Sequence, residues 1–218
     1  MNKLLSFIHI YGGFASLLLF WFPLILKKGS PWHKRMGIAF SVCMVFVIIT
    51  AAFFSVHHLI KHEYPIGLGF SFLSLLTTRT LIEGFMAARL KSNFQRIKIL
   101  INFLVICIAI VTIVMLVVGF LSSENFLLIL GGIGVFFIFR WQMMSKTQDE
   151  KTDWMRLHYR GMIFSGVAAY TAFLVIGYNS FFGGTSFETG GLTILRWILP
   201  AVLGISGVRY LNRIYAKK

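Results

Sequence analysis

The sequence has few charged residues for its length, and acidic residues are the scarcest. Of 218 residues, 13% are charged and only seven are Asp or Glu, whereas 57% are hydrophobic. A soluble domain carries about a quarter of its residues as charged side chains. Cysteine is also scarce, with only Cys43 and Cys107, and no disulfide framework is indicated. The composition therefore excludes a soluble globular protein and a disulfide-stabilised secreted one.

Apolar stretches long enough to cross a bilayer, about 20 residues each, recur along the whole chain, and the mean hydropathy is +0.80. The sequence predicts an all-α fold, a polytopic transmembrane helical bundle forming one domain over residues 1–218. The first stretch runs into Lys27 and Lys28 without a small-residue cleavage site, which favours a retained helix over a signal peptide. About seven spans are expected, at roughly 4–26, 36–59, 66–90, 97–121, 125–143, 157–179 and 191–212.

The formal charge of +14 suggests nucleic acid at first sight, but the distribution of the basic residues argues against such a partner. Seventeen of the 21 Lys and Arg fall in alternate inter-helix loops and at the C-terminus, as the positive-inside rule requires. We therefore expect the N-terminus outside, the C-terminus in the cytoplasm and the lipid bilayer as the main partner. The four clusters are Lys27, Lys28, Lys34 and Arg35; Arg89, Lys91, Arg96 and Lys98; Arg140, Lys146, Lys151, Arg156 and Arg160; and Arg209, Arg213, Lys217 and Lys218.

Several short motifs occur in order along most of the chain. They are His9-x2-Gly12-Gly13, Trp32-His33-Lys34-Arg35-Met36-Gly37, Asp153-Trp154-Met155 followed by His158, Thr171-Ala172-Phe173-Leu174-Val175, and Trp197-Ile198-Leu199-Pro200. In this order they resemble an uncharacterised bacterial family of predicted multi-pass membrane proteins. The resemblance implies a bacterial inner-membrane protein of about seven helices, and it carries over no catalytic role.

Arg79 and Glu83 form the first candidate site, because they lie inside the third apolar stretch. Ionisable groups inside a membrane are costly and mark functional sites by default. Their i,i+4 spacing puts them on one helix face, within reach of each other. Two interpretations stay open. The pair is either a structural ion pair, or a site where Arg79 holds an anionic group or Glu83 takes up a proton.

Six histidines supply a second set of candidate residues, for a metal or a haem. Neutral imidazole is a common ligand of zinc and copper, and His58 and His62 have the i,i+4 spacing of a shared metal site if the helix continues that far. His158 falls on the same face as Gly161, Ser165 and Ala169, so we expect it to point into the bundle. Histidines in water-accessible loops also need no ligand at all. His9, His57, His58 and His62 are expected near the outer face, and His33 and His158 near the inner one.

Two histidines from different helices are the usual axial ligands of b-type haem. This suggests one haem between His9 and His57 and another between His33 and His158. However, His33 and His57 are 24 residues apart, about 36 Å along one helix, which exceeds the roughly 30 Å hydrocarbon core. The two haems would then lie at opposite interfaces.

The familiar enzyme signatures are absent from the sequence, including His-Glu-x-x-His, Gly-x-Ser-x-Gly, a phosphate-binding loop and Cys-x-x-Cys. The leading hypothesis is a protein that binds or transports a small molecule or ion, or an accessory protein, with Arg79 and Glu83 as its polar site. The alternative is a membrane redox protein with histidine-ligated b-type haem or a transition metal. A third hypothesis is a structural subunit that assembles with a partner membrane protein.

Overall fold

The computed structural model describes residues 3–145, 154–178 and 191–215, and these residues fold into seven α-helices with no strand among them. The predicted all-helical architecture is thereby confirmed. A 3-10 segment, Lys91–Ile97, joins α3 to α4, and a π-helical turn, Phe173–Gly177, extends α6. The helices are α1 Lys3–Ile25, α2 Pro31–Ile60, α3 Tyr64–Leu90, α4 Lys98–Leu121, α5 Asn125–Ser145, α6 Trp154–Ala172 and α7 Gly191–Tyr215.

Six of these helices, α1 to α6, are long and apolar enough to cross a membrane. Helix α4 illustrates the reason, because it is apolar on the face that packs and on the face that is exposed. A helix that is hydrophobic all round belongs to a protein core or to a membrane. Its buried residues include Leu104, Val105, Ile108 and Met115, and its exposed ones include Phe103, Ile106, Ile110 and Ile113.

The chain divides into two compact units. The terminal unit comprises Met1–Ala51 and Ile163–Lys218, and the central unit comprises Ala52–Met162. In the central unit α4 packs against α3 and α5, around a core of fully buried side chains. That core contains Phe72, Ile108, Met115, Leu127 and Leu130.

A polar contact ties the end of α2 to α3 within the central unit. Ser55 Oγ donates a hydrogen bond to the Gly67 carbonyl oxygen at 3.0 Å and lies 2.5 Å from Ser71 Oγ. Small polar residues of this kind let helices approach closely where lipid provides no hydrophobic drive for association. In the terminal unit, Tyr170 links α6 to α1, because its hydroxyl donates a hydrogen bond to the Leu17 carbonyl oxygen at 2.8 Å.

Several predicted helix boundaries differ from the structure. Helix α2 begins at Pro31, five residues before the predicted start. Helix α6 begins at Trp154, three residues before the predicted start. Helix α2 ends at Ile60, and Pro65 lies in the first turn of α3, where its missing N–H would have no partner in any case. The acidic cluster Asp149, Glu150 and Asp153 and the Gly/Ser/Thr-rich connection before α7 lie outside the described residues.

Candidate functional site

The predicted ion pair on α3 is present and deeply buried in the central unit. Arg79 and Glu83 are each 3% exposed, and Arg79 Nη1 lies 2.6 Å from Glu83 Oε2. Although the two atoms are close, Glu83 Oε2 has no hydrogen-bond partner among the described residues. The contact is therefore an ion pair and not a hydrogen bond.

A third charged residue, Arg160 of α6, joins this pair. Arg160 belongs to the third basic cluster of the sequence, and its contact with the α3 pair was not predicted. Arg160 is 7% exposed, and its Nη2 donates to Glu83 Oε1 at 2.5 Å. Because α6 begins at Trp154, Arg160 lies six residues into the helix, about 9 Å along its axis. Glu83 is thus one carboxylate shared by two guanidinium groups.

Two glycines explain why Glu83 and Arg160 meet. Gly84 and Gly161, the residues next to them, bring the backbones of α3 and α6 into direct contact. A Cβ atom added to Gly84 would lie 2.5 Å from the backbone nitrogen of Met162 and 2.8 Å from the carbonyl carbon of Gly161. Side chains adjacent to such a contact face each other at short range. Gly161 lies on the α6 face that was expected to point into the bundle, whereas no role was predicted for Gly84.

His158 also stabilises the contact between α3 and α6. Its Nδ1 lies 2.8 Å from the Gly84 carbonyl oxygen, and because a carbonyl can only accept, Nδ1 carries the proton. The expectation that His158 faces other helices agrees with this position. The imidazole therefore holds the backbone of α3 at the residue that follows Glu83.

One edge of the Arg79 guanidinium makes no hydrogen bond to the described residues. Its Nε and Nη2 atoms are buried and have no hydrogen-bond partner in the described part of the chain. These two nitrogens lie on the same side of the planar group, the side that binds a carboxylate or phosphate through two parallel hydrogen bonds. The ring of Phe137 on α5 lies beneath the cation, with its centroid 5.1 Å from the Arg79 Cζ atom.

The hydroxyl groups of neighbouring threonines do not accept hydrogen bonds from this edge of the guanidinium. The Thr77 hydroxyl donates to the Leu73 carbonyl at 2.6 Å, and the Thr80 hydroxyl donates to the Leu76 carbonyl at 3.0 Å. Both threonines are thus bonded within their own helix. Leaving a buried donor without a partner costs about 1–3 kcal/mol, and more for a charged group. The two unpaired nitrogens of Arg79 are therefore energetically unfavourable, and their presence requires an explanation.

The histidines of the α2–α3 turn do not have the helical i,i+4 geometry on which the predicted metal pair depended. His62 lies beyond the end of α2 with φ = 60°, so His58 and His62 are not one helical turn apart. His58 Nδ1 pairs with the Glu63 carboxylate instead, and His62 Nδ1 lies 2.8 Å from the Tyr64 hydroxyl. The hydrogen bond from His58 lowers the pKa of Glu63.

Replacing His58 with alanine is expected to raise the pKa of Glu63 toward its ordinary value. Because the folded-state pKa is lowered, the hydrogen bond stabilises the turn above the ordinary glutamate pKa, and this stabilisation is lost as the pH falls through the lowered value. Carbon-13 NMR of glutamate-labelled protein in detergent micelles would measure the shift. The His62→Ala variant serves as the control, since His62 pairs with Tyr64. An unchanged titration of Glu63 in His58→Ala would contradict the assignment.

The remaining candidate histidines have local partners in the terminal unit or lie beside another histidine. The Thr50 hydroxyl donates to the Phe46 carbonyl at 2.8 Å and therefore accepts from His9 Nδ1, also at 2.8 Å. His33 Nδ1 donates to the Pro23 carbonyl at 3.1 Å.

The ring of His57 lies 5.6 Å from the ring of His58. Among the described residues, no group of three or more His, Cys, Asp or Glu side chains is close enough to hold a metal ion. Ligation of haem or metal by the six histidines stays a prediction.

No family model, curated protein or solved structure matches the chain.

Proposed function

We propose that this protein binds a small carboxylate, or a related oxyanion, at Arg79 within the membrane, and that its function is of the transport or binding type. The observation that carries the proposal is the free edge of the Arg79 guanidinium. Two donors, Nε and Nη2, lie side by side in a residue that is 97% buried, and neither has a hydrogen-bond partner among the described residues. A carboxylate satisfies both at once, with two charge-assisted hydrogen bonds.

The shape of the free edge selects the class of ligand. A planar carboxylate or a phosphoryl group has two oxygens at the spacing of the guanidinium fork, whereas a halide ion has one centre and cannot fill both positions. The Phe137 ring below the guanidinium adds an apolar surface beside the polar edge. These features favour a small organic acid over an inorganic halide.

The position of the site along α3 is compatible with transport. Arg79 lies 15 residues from Tyr64 and 11 residues from Leu90, which is about 22 Å and 16 Å along the helix. A ligand at this depth is held away from both surfaces, as substrates of membrane transporters are. An accessory protein that binds such a ligand without moving it would use the same residues.

The finer topology belongs to the same proposal. We place the protein in a bacterial inner membrane with its N-terminus outside and its C-terminus in the cytoplasm, supported by the four basic clusters. In this orientation Arg79 lies slightly past the middle of α3, on the cytoplasmic side.

Substituting Arg79 with lysine is expected to weaken carboxylate binding at least tenfold. Lysine keeps the positive charge but lacks the planar fork, so one of two charge-assisted hydrogen bonds is lost, at about 1.5–3 kcal/mol. Equilibrium dialysis of detergent-purified protein against radiolabelled acetate measures the affinity, and a chloride series tests the preference for a carboxylate. We expect acetate to bind at least about tenfold more tightly than chloride.

The matched control is Arg89→Lys, which changes an exposed arginine on the same helix. Its acetate affinity should equal that of the wild type. Wild-type protein that binds no acetate, or an Arg79→Lys variant that binds it as tightly as the wild type, would refute the proposed function.

A further inference from the structure

We infer that the ligand of Arg79 is a singly charged carboxylate, and that Arg160 supplies the positive charge that this ligand neutralises. The inference rests on the proposed function, and it adds the charge of the ligand and a role for Arg160. It follows from the balance of charged side chains around Glu83.

Two guanidinium groups share one carboxylate in the buried part of the central unit. Arg79 Nη1 lies 2.6 Å from Glu83 Oε2, and Arg160 Nη2 lies 2.5 Å from Glu83 Oε1. These are the ion pairs of Glu83 within the part of the chain that the structure describes. With His158 in its neutral form, two positive charges and one negative charge meet here, and the net charge is +1.

The excess positive charge is costly at this depth. Arg79 and Glu83 are each 3% exposed and Arg160 is 7% exposed, so water solvates the three groups very little. A singly charged carboxylate bound to Nε and Nη2 of Arg79 lowers the net charge to zero. Binding therefore removes an electrostatic cost that the free protein carries within the membrane.

A doubly charged anion does not have this advantage. It would change the net charge of the site from positive to negative, and its second charged group would have to be buried as well. Arg79 Nη1 and Arg160 Nη2 already contact Glu83, and Glu83 repels a further negative charge at short range. The site thus favours monocarboxylates over dicarboxylates and over doubly ionised phosphate.

Arg160 determines this preference through its charge, without a contact to the ligand. In its absence Arg79 and Glu83 would neutralise each other, and a bound anion would leave one negative charge buried. The free edge of Arg79 would still have the shape that fits a carboxylate. Shape alone therefore does not make the site favourable for an anion, and the second guanidinium is required.

The experiment compares oxamate with oxalate, two anions of nearly equal size. Oxalate carries two charges at neutral pH, whereas oxamate carries one, because an amide replaces its second carboxylate. Each competes with radiolabelled acetate in equilibrium dialysis of the wild-type protein in detergent. We expect oxamate to displace acetate at a concentration at least about tenfold lower than oxalate does. This comparison tests the inference even if a variant fails to fold.

The variants test whether Arg160 acts through its charge or only holds the helices together. Arg160→Gln gives a net charge of zero and should weaken acetate binding at least about tenfold. Glu83→Gln combined with Arg160→Gln restores the net charge of the wild type, so it should bind acetate more tightly than Arg160→Gln and prefer oxamate to oxalate. If Arg160 has only a structural role, the double variant should bind as poorly as Arg160→Gln.

The matched control is Glu124→Gln, which changes an exposed acid in the α4–α5 turn and should keep the preference of the wild type. Oxamate that displaces acetate no better than oxalate, or an Arg160→Gln variant that binds acetate like the wild type, overturns the inference while the anion site stands. Wild-type protein that binds no acetate refutes the proposed function, and the inference with it.

Discussion

Glutamine in place of Glu83 is expected to lower the free energy of unfolding by about 3–5 kcal/mol, because it leaves buried charge without a counter-charge. Arg79 has Glu83 as its only ion-pair partner among the described residues. Removing the carboxylate therefore strands a guanidinium that is 3% exposed. Thermal denaturation in detergent, or unfolding in mixed micelles with sodium dodecyl sulfate, measures the loss.

Arg79→Met is expected to cost less than Glu83→Gln. Without Arg79, Glu83 keeps its contact with Arg160 at 2.5 Å, so no charge loses its last partner. The double variant Arg79→Met with Glu83→Gln should be more stable than Glu83→Gln alone, since the stranded guanidinium is gone. Such a cycle isolates the coupling between the two residues.

The control for this series is Glu124→Gln, which removes an exposed carboxylate and should leave stability within about 0.5 kcal/mol of the wild type. A carboxylate ligand should also raise the melting temperature of Glu83→Gln more than that of the wild type, since the ligand restores a negative charge beside Arg79. If Glu83→Gln is as stable as the wild type and Arg79→Met is not, the shared-carboxylate arrangement is wrong.

The part of the site that was predictable from the sequence is the part that one helix determines. Arg79 and Glu83 are four residues apart within an apolar stretch, and the helical period alone puts them on one face. The same reasoning predicted about seven apolar helices, because hydrophobic length is also a local property. Seven helices are present among the described residues, and six of them are long and apolar enough to cross a membrane. Neither prediction depends on which helices are neighbours.

Arg160 and Gly84 could not be identified in that way, because their importance arises between helices. Arg160 was grouped with a basic loop, and its burial depends on where α6 begins and on its packing against α3 through Gly84. A signal was nonetheless present. Leu157, Arg160 and Gly161 have the i, i+3, i+4 spacing of one helix face, and Gly84 directly follows the only acidic residue of the third apolar stretch.

The expected helical spacing of His58 and His62 shows the converse error, in which a local period was extended past the end of its helix. His58 and His62 have helical spacing in the sequence, but the backbone changes direction at His62, where φ is 60°. A left-handed residue ends a helix, and the imidazoles then pair with Glu63 and Tyr64 instead. Pro65 indicated that a helix boundary was near, though not on which side of His62 it fell.

The second large effect is expected at Gly84, where valine should cost about 3 kcal/mol of stability and abolish carboxylate binding. The Cβ atom alone would meet the Met162 nitrogen at 2.5 Å, and backbone cannot move aside as a flexible side chain can, so the two helices must separate. Separation pulls Arg160 away from Glu83 and breaks the bond from His158 to the Gly84 carbonyl. Melting temperature and acetate dialysis measure the two consequences.

Gly132→Ala provides the contrast for Gly84→Val, because a Cβ atom at Gly132 of α5 meets nothing within 4 Å. Alanine there should be neutral or stabilising by about 0.5–1 kcal/mol, since glycine is unfavourable inside a helix. The milder Gly84→Ala should lie between the two, because it adds the clashing atom without the branched methyl groups. If Gly84→Ala and Gly132→Ala prove equally stable and Gly84→Ala still binds acetate, then contact between the backbones of α3 and α6 is not what brings Arg160 to Glu83.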